Sequence, residues 1–201
     1  MKKFLFGCGG LVVVVLGLAL VAGLFVAANY NGLVRGEESV KSAWSQVENV
    51  YQRRLDLIPN LVATVKGVAN FEKETYTAVT EARAKVGQIR VTPEMLNDPN
   101  AFAKFQSAQG ELGSALSRLL VVAENYPQLK ANQNFLDLQS QLESTENRIA
   151  VERRRYNEVA QGYNTSVRSF PRNFVAGLFG FKSKAYFEAA TGAEKAPEVK
   201  F

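Results

Sequence analysis

Residues 135–170 read FLDLQSQLESTENRIAVERRRYNEVAQGYNTSVRSF, and their spacing decides the fold. Phe135, Leu138, Leu142, Thr145, Ile149, Glu152, Tyr156, Val159, Tyr163, Ser166 and Phe170 alternate steps of three and four without a slip. An α-helix turns once in 3.6 residues, so this alternation keeps one face toward a neighbour along the whole stretch. Only Thr145, Glu152 and Ser166 interrupt the large apolar and aromatic groups, and the charged run Arg153-Arg154-Arg155 reads as mostly solvated face. At about 1.5 Å per residue the helix is about 55–60 Å long. Such a length needs neighbours of similar length, which points to a bundle.

Two upstream segments supply those neighbours. From Glu37 to about Gly87, Val40, Trp44, Val47, Tyr51, Arg54, Ile58, Leu61, Val65 and Val68 form a second seam, with Arg54 its single polar intruder. Pro59 falls beside that seam and kinks the helix or divides it. Asp98-Pro99 opens a further helix from about Asn100 to Asn125 with Phe102, Phe105, Gln109, Leu112, Leu116, Leu119 and Ala123 as its seam. Thr92-Pro93-Glu94 in the connector also reads as a helix start, and Tyr126-Pro127 closes the second long helix. The expected fold is all-α: an elongated antiparallel up-and-down bundle of three long helices plus a shorter C-terminal one, behind a transmembrane helix.

That last element is Phe4 to Ala28, a run without a charged residue. As a helix it spans about 35 Å, enough for a hydrocarbon core of about 30 Å. A cleaved signal is the rival, since Val26-Ala27-Ala28 is small, but secretory apolar regions run about 7–15 residues, and this one is longer. Leu5-Phe6-Gly7-Cys8 imitates a lipobox, yet Cys8 precedes the apolar run instead of ending it. Lys2 and Lys3 before the span place the N-terminus in the cytoplasm and the bundle outside it, on the cytoplasmic membrane. Asn31-Gly32 and Gly36 loosen the exit from the membrane. Residues 1–28 are therefore read as cytoplasmic N-terminus and anchor, 29–191 as the bundle, and 192–201 as a disordered tail.

Composition excludes much chemistry. The 201 residues contain no histidine, and the sole cysteine, Cys8, lies in the apolar span. The soluble part thus lacks the commonest general base, the commonest metal ligand, a thiol nucleophile and any disulfide. The net charge of +5 falls to +3 once Lys2 and Lys3 are set aside, too mild for a dedicated nucleic-acid binder. Pairs such as Glu143 with Glu146, or Asp56 with Glu72, show no calcium-loop pattern, so no cofactor or metal is expected.

Several motifs resemble the LemA family of bacterial membrane proteins. They are Tyr30-Asn31-Gly32-Leu33-Val34, Ala43-Trp44-Ser45-Gln46, and Arg53-Arg54-Leu55-Asp56-Leu57-Ile58-Pro59-Asn60-Leu61-Val62 followed by Thr64-Val65-Lys66-Gly67. Later come Glu124-Asn125-Tyr126-Pro127-Gln128-Leu129-Lys130-Ala131, Thr145-Glu146-Asn147-Arg148-Ile149-Ala150, Arg153-Arg154-Arg155-Tyr156-Asn157, Tyr163-Asn164, Phe179-Gly180-Phe181 and Tyr186-Phe187-Glu188. The resemblance implies an N-terminal anchor carrying an antiparallel bundle, with no established reaction. It also implies protein partners in the envelope, TPM-domain membrane proteins among them, since such genes are often neighbours.

Candidate interaction residues are Arg54, Asp56, Pro59, Asn60, Asn147, Glu152, Tyr156 and Asn157. Arg54 and Glu152 are charges on apolar seams; each is an internal ion pair fixing register or, less economically, part of a ligand site. If the first helix continues through Pro59, Glu152 lies near Arg83; if the chain reverses there, Arg54 is its partner. Pro59 frees a backbone carbonyl that either binds a partner or is satisfied by a neighbouring side chain. Tyr126, Tyr156, Tyr163, Asn147, Asn157 and Asn164 form an aromatic and amide-rich set, more often core than pocket. Phe174 to Phe181, flanked by Arg172, Lys182 and Lys184, caps the bundle or lies on the membrane surface. The expected function is a non-enzymatic scaffold or adaptor of the cell envelope. The alternative is an envelope enzyme or ligand sensor with a site between the helices.

Overall fold

The computed structural model describes residues 2–68 and 71–188, with side chains from residue 12 onward. The tail expected from residue 192 lies outside them. α1 (Lys2–Lys66) is a single helix that contains both the apolar span and the first seam. Val12 through Phe25 are exposed, and from there Leu33 is the first fully buried residue. Among the described residues, α1 alone is long and apolar enough to cross a membrane. From Val40 to Val65 every seam position read from the sequence is buried.

The helix does not stop at Pro59, and it is not loosened at its glycines. A Cβ on Gly36 would stand 3.1 Å from the Tyr163 ring, and one on Gly32 would stand 3.9 Å from an Arg172 nitrogen. Gly36 thus admits a close neighbour, whereas at Gly32 an added Cβ would make only ordinary van der Waals contact, and the helix runs unbroken through both. The chain turns back only after Lys66, so the segment from Glu37 to about Gly87 is divided there and not at Pro59. α2 (Lys73–Gln88) returns along α1, as the Lys66 ammonium over the Tyr76 ring and the Arg83–Leu55 hydrogen bond fix. Pro59 is tolerated because its partner is replaced. The Leu55 carbonyl, which residue 59 would serve in an unbroken ladder, accepts from Arg83 Nε at 3.1 Å.

A 3-10 turn (Pro93–Asn97) leads into α3 (Pro99–Ala123), capped by the Asp98 carboxylate accepting from the Asn100 and Ala101 amides at 2.9 and 3.2 Å. The Thr92 side chain makes no cap, so the start expected there yields only the turn. All seven α3 seam residues are buried. After α4 (Pro127–Lys130), α5 (Gln133–Arg168) runs down beside α1, with Trp44 against Tyr156 at 5.4 Å and Arg54 against Glu146. α1, α2, α3 and α5 alternate up and down. The bundle thus has one more member than expected, the short α2. At the far end of α5 the seam drifts: Ala160, Asn164 and Val167 are buried, whereas Phe170 is exposed. A strict 3.5-residue alternation slips about 20° per heptad against a straight helix, which brings Ala160, Asn164 and Val167 inward, and Phe170 lies beyond the helix end, after Ser169 turns extended.

α6 (Arg172–Phe179) lies across the foot of α1 and α5 and ends at Gly180, whose φ of 77° is the left-handed cap. Beyond it residues 181–188 form an extended strap. Buried apolar residues fall into two clusters, one around Trp44, Phe102, Tyr156 and Phe187, the other around Ile58, Leu61, Leu112, Leu119 and Leu142. Arg54 and Gln109 are buried near the junction of the two.

Candidate functional site

The most developed recognition surface is the groove that holds the strap. Asn157 donates from Nδ2 to the Phe187 carbonyl at 2.9 Å and accepts the Phe187 amide at 2.9 Å. Asn164 does the same for Lys184, at 2.9 and 2.7 Å. From α3, Gln106 donates to the Glu188 carbonyl at 2.7 Å and accepts the Glu188 amide at 3.2 Å. Each primary amide carries one donor end and one acceptor end, so each satisfies both backbone groups of one strap residue. The spacing fits. Seven residues of helix advance about 10.5 Å, and three residues of extended chain advance about 10 Å. Asn157 and Asn164 therefore meet Phe187 and Lys184 in register, with the strap antiparallel to α5.

Side chains complete the grip. Phe187 enters an aromatic box of Trp44, Phe102 and Tyr156, with ring centroids 5.9, 4.8 and 5.6 Å away, and the Arg153 guanidinium covers it at 4.5 Å. Tyr156, fully buried, donates its hydroxyl to the Ala185 carbonyl at 3.0 Å, and the Ala185 amide donates to Leu96. The buried Lys184 donates from Nζ to Glu37 Oε1 at 2.6 Å and Asn97 Oδ1 at 2.8 Å. Burial raises the Tyr156 phenol far above its ordinary range, with Tyr186 adding to the shift; burial and then Glu37 do the same for Tyr163.

Next to the strap's end opens a cleft of about 540 Å³ lined by Tyr51, Arg54, Gln109, Glu146, Arg153 and Glu188 among others. Arg54 donates from Nη1 to Glu146 Oε1 at 2.6 Å and from Nη2 to both oxygens of Gln109, the backbone one at 3.3 Å. Its Nε is buried without a partner. Neither pairing expected for Glu152 forms: Glu146, off the seam, takes Arg54, Arg83 takes Leu55, and Glu152 Oε2 is buried without a hydrogen-bond partner.

Of the other candidates, Asp56 is exposed and accepts from Gln52 at 2.7 Å. Asn60 is exposed with its carbonyl taken by Thr64 Oγ1 at 2.9 Å, and Asn147 lies on the outer face of α5. The structure thus unites Tyr156 and Asn157, sets Arg54 in the adjoining cleft, and leaves Asp56, Pro59, Asn60 and Asn147 apart from the groove. Phe187, Lys184 and Gln106 were missed as a set. Their one legible trace is the pair Tyr156-Asn157 and Tyr163-Asn164, two turns apart. Among the described residues, no cluster of three or more Asp, Glu, His or Cys is placed to hold a metal ion.

Together the fold and groove define a helical bundle mounted on a helix that fits a membrane anchor. The LemA family model matches residues 43–201, and the chain belongs to that family. It is similar to the magnetosome proteins MamQ 1 and MamQ 2 of Paramagnetospirillum magneticum, 30% identical over 187 residues, which cover 85% of this chain and 68% of each relative. It is also similar to Protein LemA of Metamycoplasma hominis, 27% identical over 160 residues, covering 80% of this chain and 69% of that one.

Proposed function

We propose that this chain is a non-enzymatic scaffold or adaptor of the cell envelope. Its bundle stands on the outer face of the cytoplasmic membrane and works through protein contacts. The observation that carries the reading is the double role of α1, exposed and apolar through Phe25 yet core-forming from Leu33. One helix thereby mounts the bundle on its anchor, and the seams are filled by the protein's own aromatic and aliphatic groups. The strap groove agrees with it: three side-chain amides hold a peptide backbone, a mode of polypeptide recognition that the chain here uses on its own strap. The basic flank Lys2-Lys3 supports the orientation. TPM-domain membrane proteins are the partners that the family resemblance suggests.

The cleft beside Arg54 favours a second reading, a sensor of a small polar ligand. Photo-crosslinking in intact cells from positions 150, 154 and 161, on the exposed face of α5, separates the two. Capture of the same envelope proteins from these positions, identified by mass spectrometry, is the expected result. Crosslinks confined to the chain itself would remove the main support for an adaptor.

A further inference from the structure

α6 buries one side and leaves the other bare. Val175 and Ala176 pack into the bundle, whereas Phe174, Leu178 and Phe179 are 69%, 76% and 50% exposed, and Phe170 just before them is 79% exposed. Phe170 and Phe174 meet edge to face at 6.0 Å, so these side chains form a patch rather than scattered residues. A contiguous apolar patch of this kind marks a surface that is covered in use.

Its position identifies the cover. The Phe179 ring lies 4.8 Å from that of Tyr30 and lines a shallow apolar groove with Ala22, Gly23, Val26 and Ala27 of α1. Arg172 Nε donates to Asn29 Oδ1 at 3.3 Å. α6 therefore sits where α1 passes from its exposed apolar stretch to its buried one, and the apolar surface runs on from the anchor to Phe179. The charge agrees: residues 159–187 contain no Asp or Glu, while Arg168, Arg172 and Lys182 are exposed. Apolar groups at anchor height with cations beside them match the acyl chains and phosphates of a bilayer surface.

We propose that α6 is an interfacial foot. Phe170, Phe174, Leu178 and Phe179 enter the boundary between headgroups and acyl chains in the leaflet from which α1 emerges, and Arg168, Arg172 and Lys182 meet lipid phosphates. The bundle is then held at two points, anchor and foot, which fixes its tilt. This inference rests on α1 being a membrane anchor.

The test uses the full chain carrying Cys8→Ser, reconstituted into vesicles of phosphatidylcholine and phosphatidylglycerol. Single nitroxide labels are placed through Leu18→Cys, Phe174→Cys, Leu178→Cys and Gln161→Cys, and collisions with oxygen are compared with those of a water-soluble nickel chelate. The expected result is a deep, oxygen-rich site at 18, an aqueous site at 161, and oxygen-to-nickel ratios at 174 and 178 several-fold above that at 161. A label at 18 within lipid, with 174 and 178 matching 161 or shielded from both reagents, overturns the foot while sparing the anchor. An aqueous label at 18 overturns both.

Discussion

Arg54 and Glu146, 92 positions apart in the chain, meet at 2.6 Å, joining α1 to α5. The guanidinium side is 3% exposed and the carboxylate side 47%. That asymmetry decides what each partner contributes. The arginine is committed to the interior, its two terminal nitrogens held by Glu146 and Gln109, whereas the carboxylate keeps access to water.

Removing the arginine should therefore cost more than removing the acid. Arg54→Ala strips the stem, the ion pair and both bonds to Gln109, and should destabilise the chain by about 2–4 kcal/mol. Glu146→Gln retains an acceptor for Nη1 but removes the counter-charge of a buried guanidinium, and should cost about 1–2 kcal/mol. Denaturant unfolding in detergent micelles reads both; equal losses would contradict this account of the pair.

Pro59 and Arg83 should be energetically coupled. Arg83→Met leaves the Leu55 carbonyl without a donor and should cost about 1 kcal/mol. With Pro59→Ala, the amide of residue 59 can serve that carbonyl, so Arg83→Met should cost less in that background. A double-mutant cycle measures the coupling, and strict additivity would show that Arg83 does not replace the lost helix bond.

The strap should loosen when its amide clamps are removed. Asn157→Ala or Asn164→Ala leaves a strap amide and carbonyl without partners, at about 1–2 kcal/mol each. Hydrogen exchange of the Phe187 and Lys184 amides should quicken in the respective variants while α1 and α3 remain protected. Phe187→Ala should cost about 3 kcal/mol by emptying the aromatic box.

Glu48 provides a pH test. Burial raises its carboxyl above the ordinary 4.5, with Trp44 acting in the opposite direction. A raised value means that the folded chain holds this proton more tightly than the unfolded chain does. The protonated form favours folding, and its contribution is lost as pH rises through the raised value. Glu48→Gln should accordingly raise the thermal midpoint at pH 7, and the gain should vanish below about pH 4. A gain that persists undiminished in acid would contradict it.

The seams were legible because a three-four alternation encodes which residues face a neighbour. Val40 to Val65 and Phe102 to Ala123 lie as their spacing required. Direction was harder. Pro59 is the strongest local break signal in α1, yet a side chain from another helix neutralises it, and the turn falls after Lys66, where Gly67 is a weaker signal. The partner of Arg54 was hidden because Glu146 lies off the seam while Glu152 lies on it. The strap was illegible for a different reason. An extended segment held by side-chain amides has no periodicity of its own, and its order comes from Asn157, Asn164 and Gln106 on other elements. Tyr156 and Asn157 could be singled out; what they hold could not.

One unbroken helix carries the apolar N-terminal span into the bundle core, so that the bundle is rigidly mounted on it. Nitroxides placed through Ala28→Cys and Arg53→Cys in full-length Cys8→Ser chain in lipid nanodiscs measure this by dipolar spectroscopy. Twenty-five residues of continuous helix predict one narrow distance distribution centred near about 38 Å. A broad distribution, or a second population at shorter distance, would place a hinge between anchor and bundle and contradict the account.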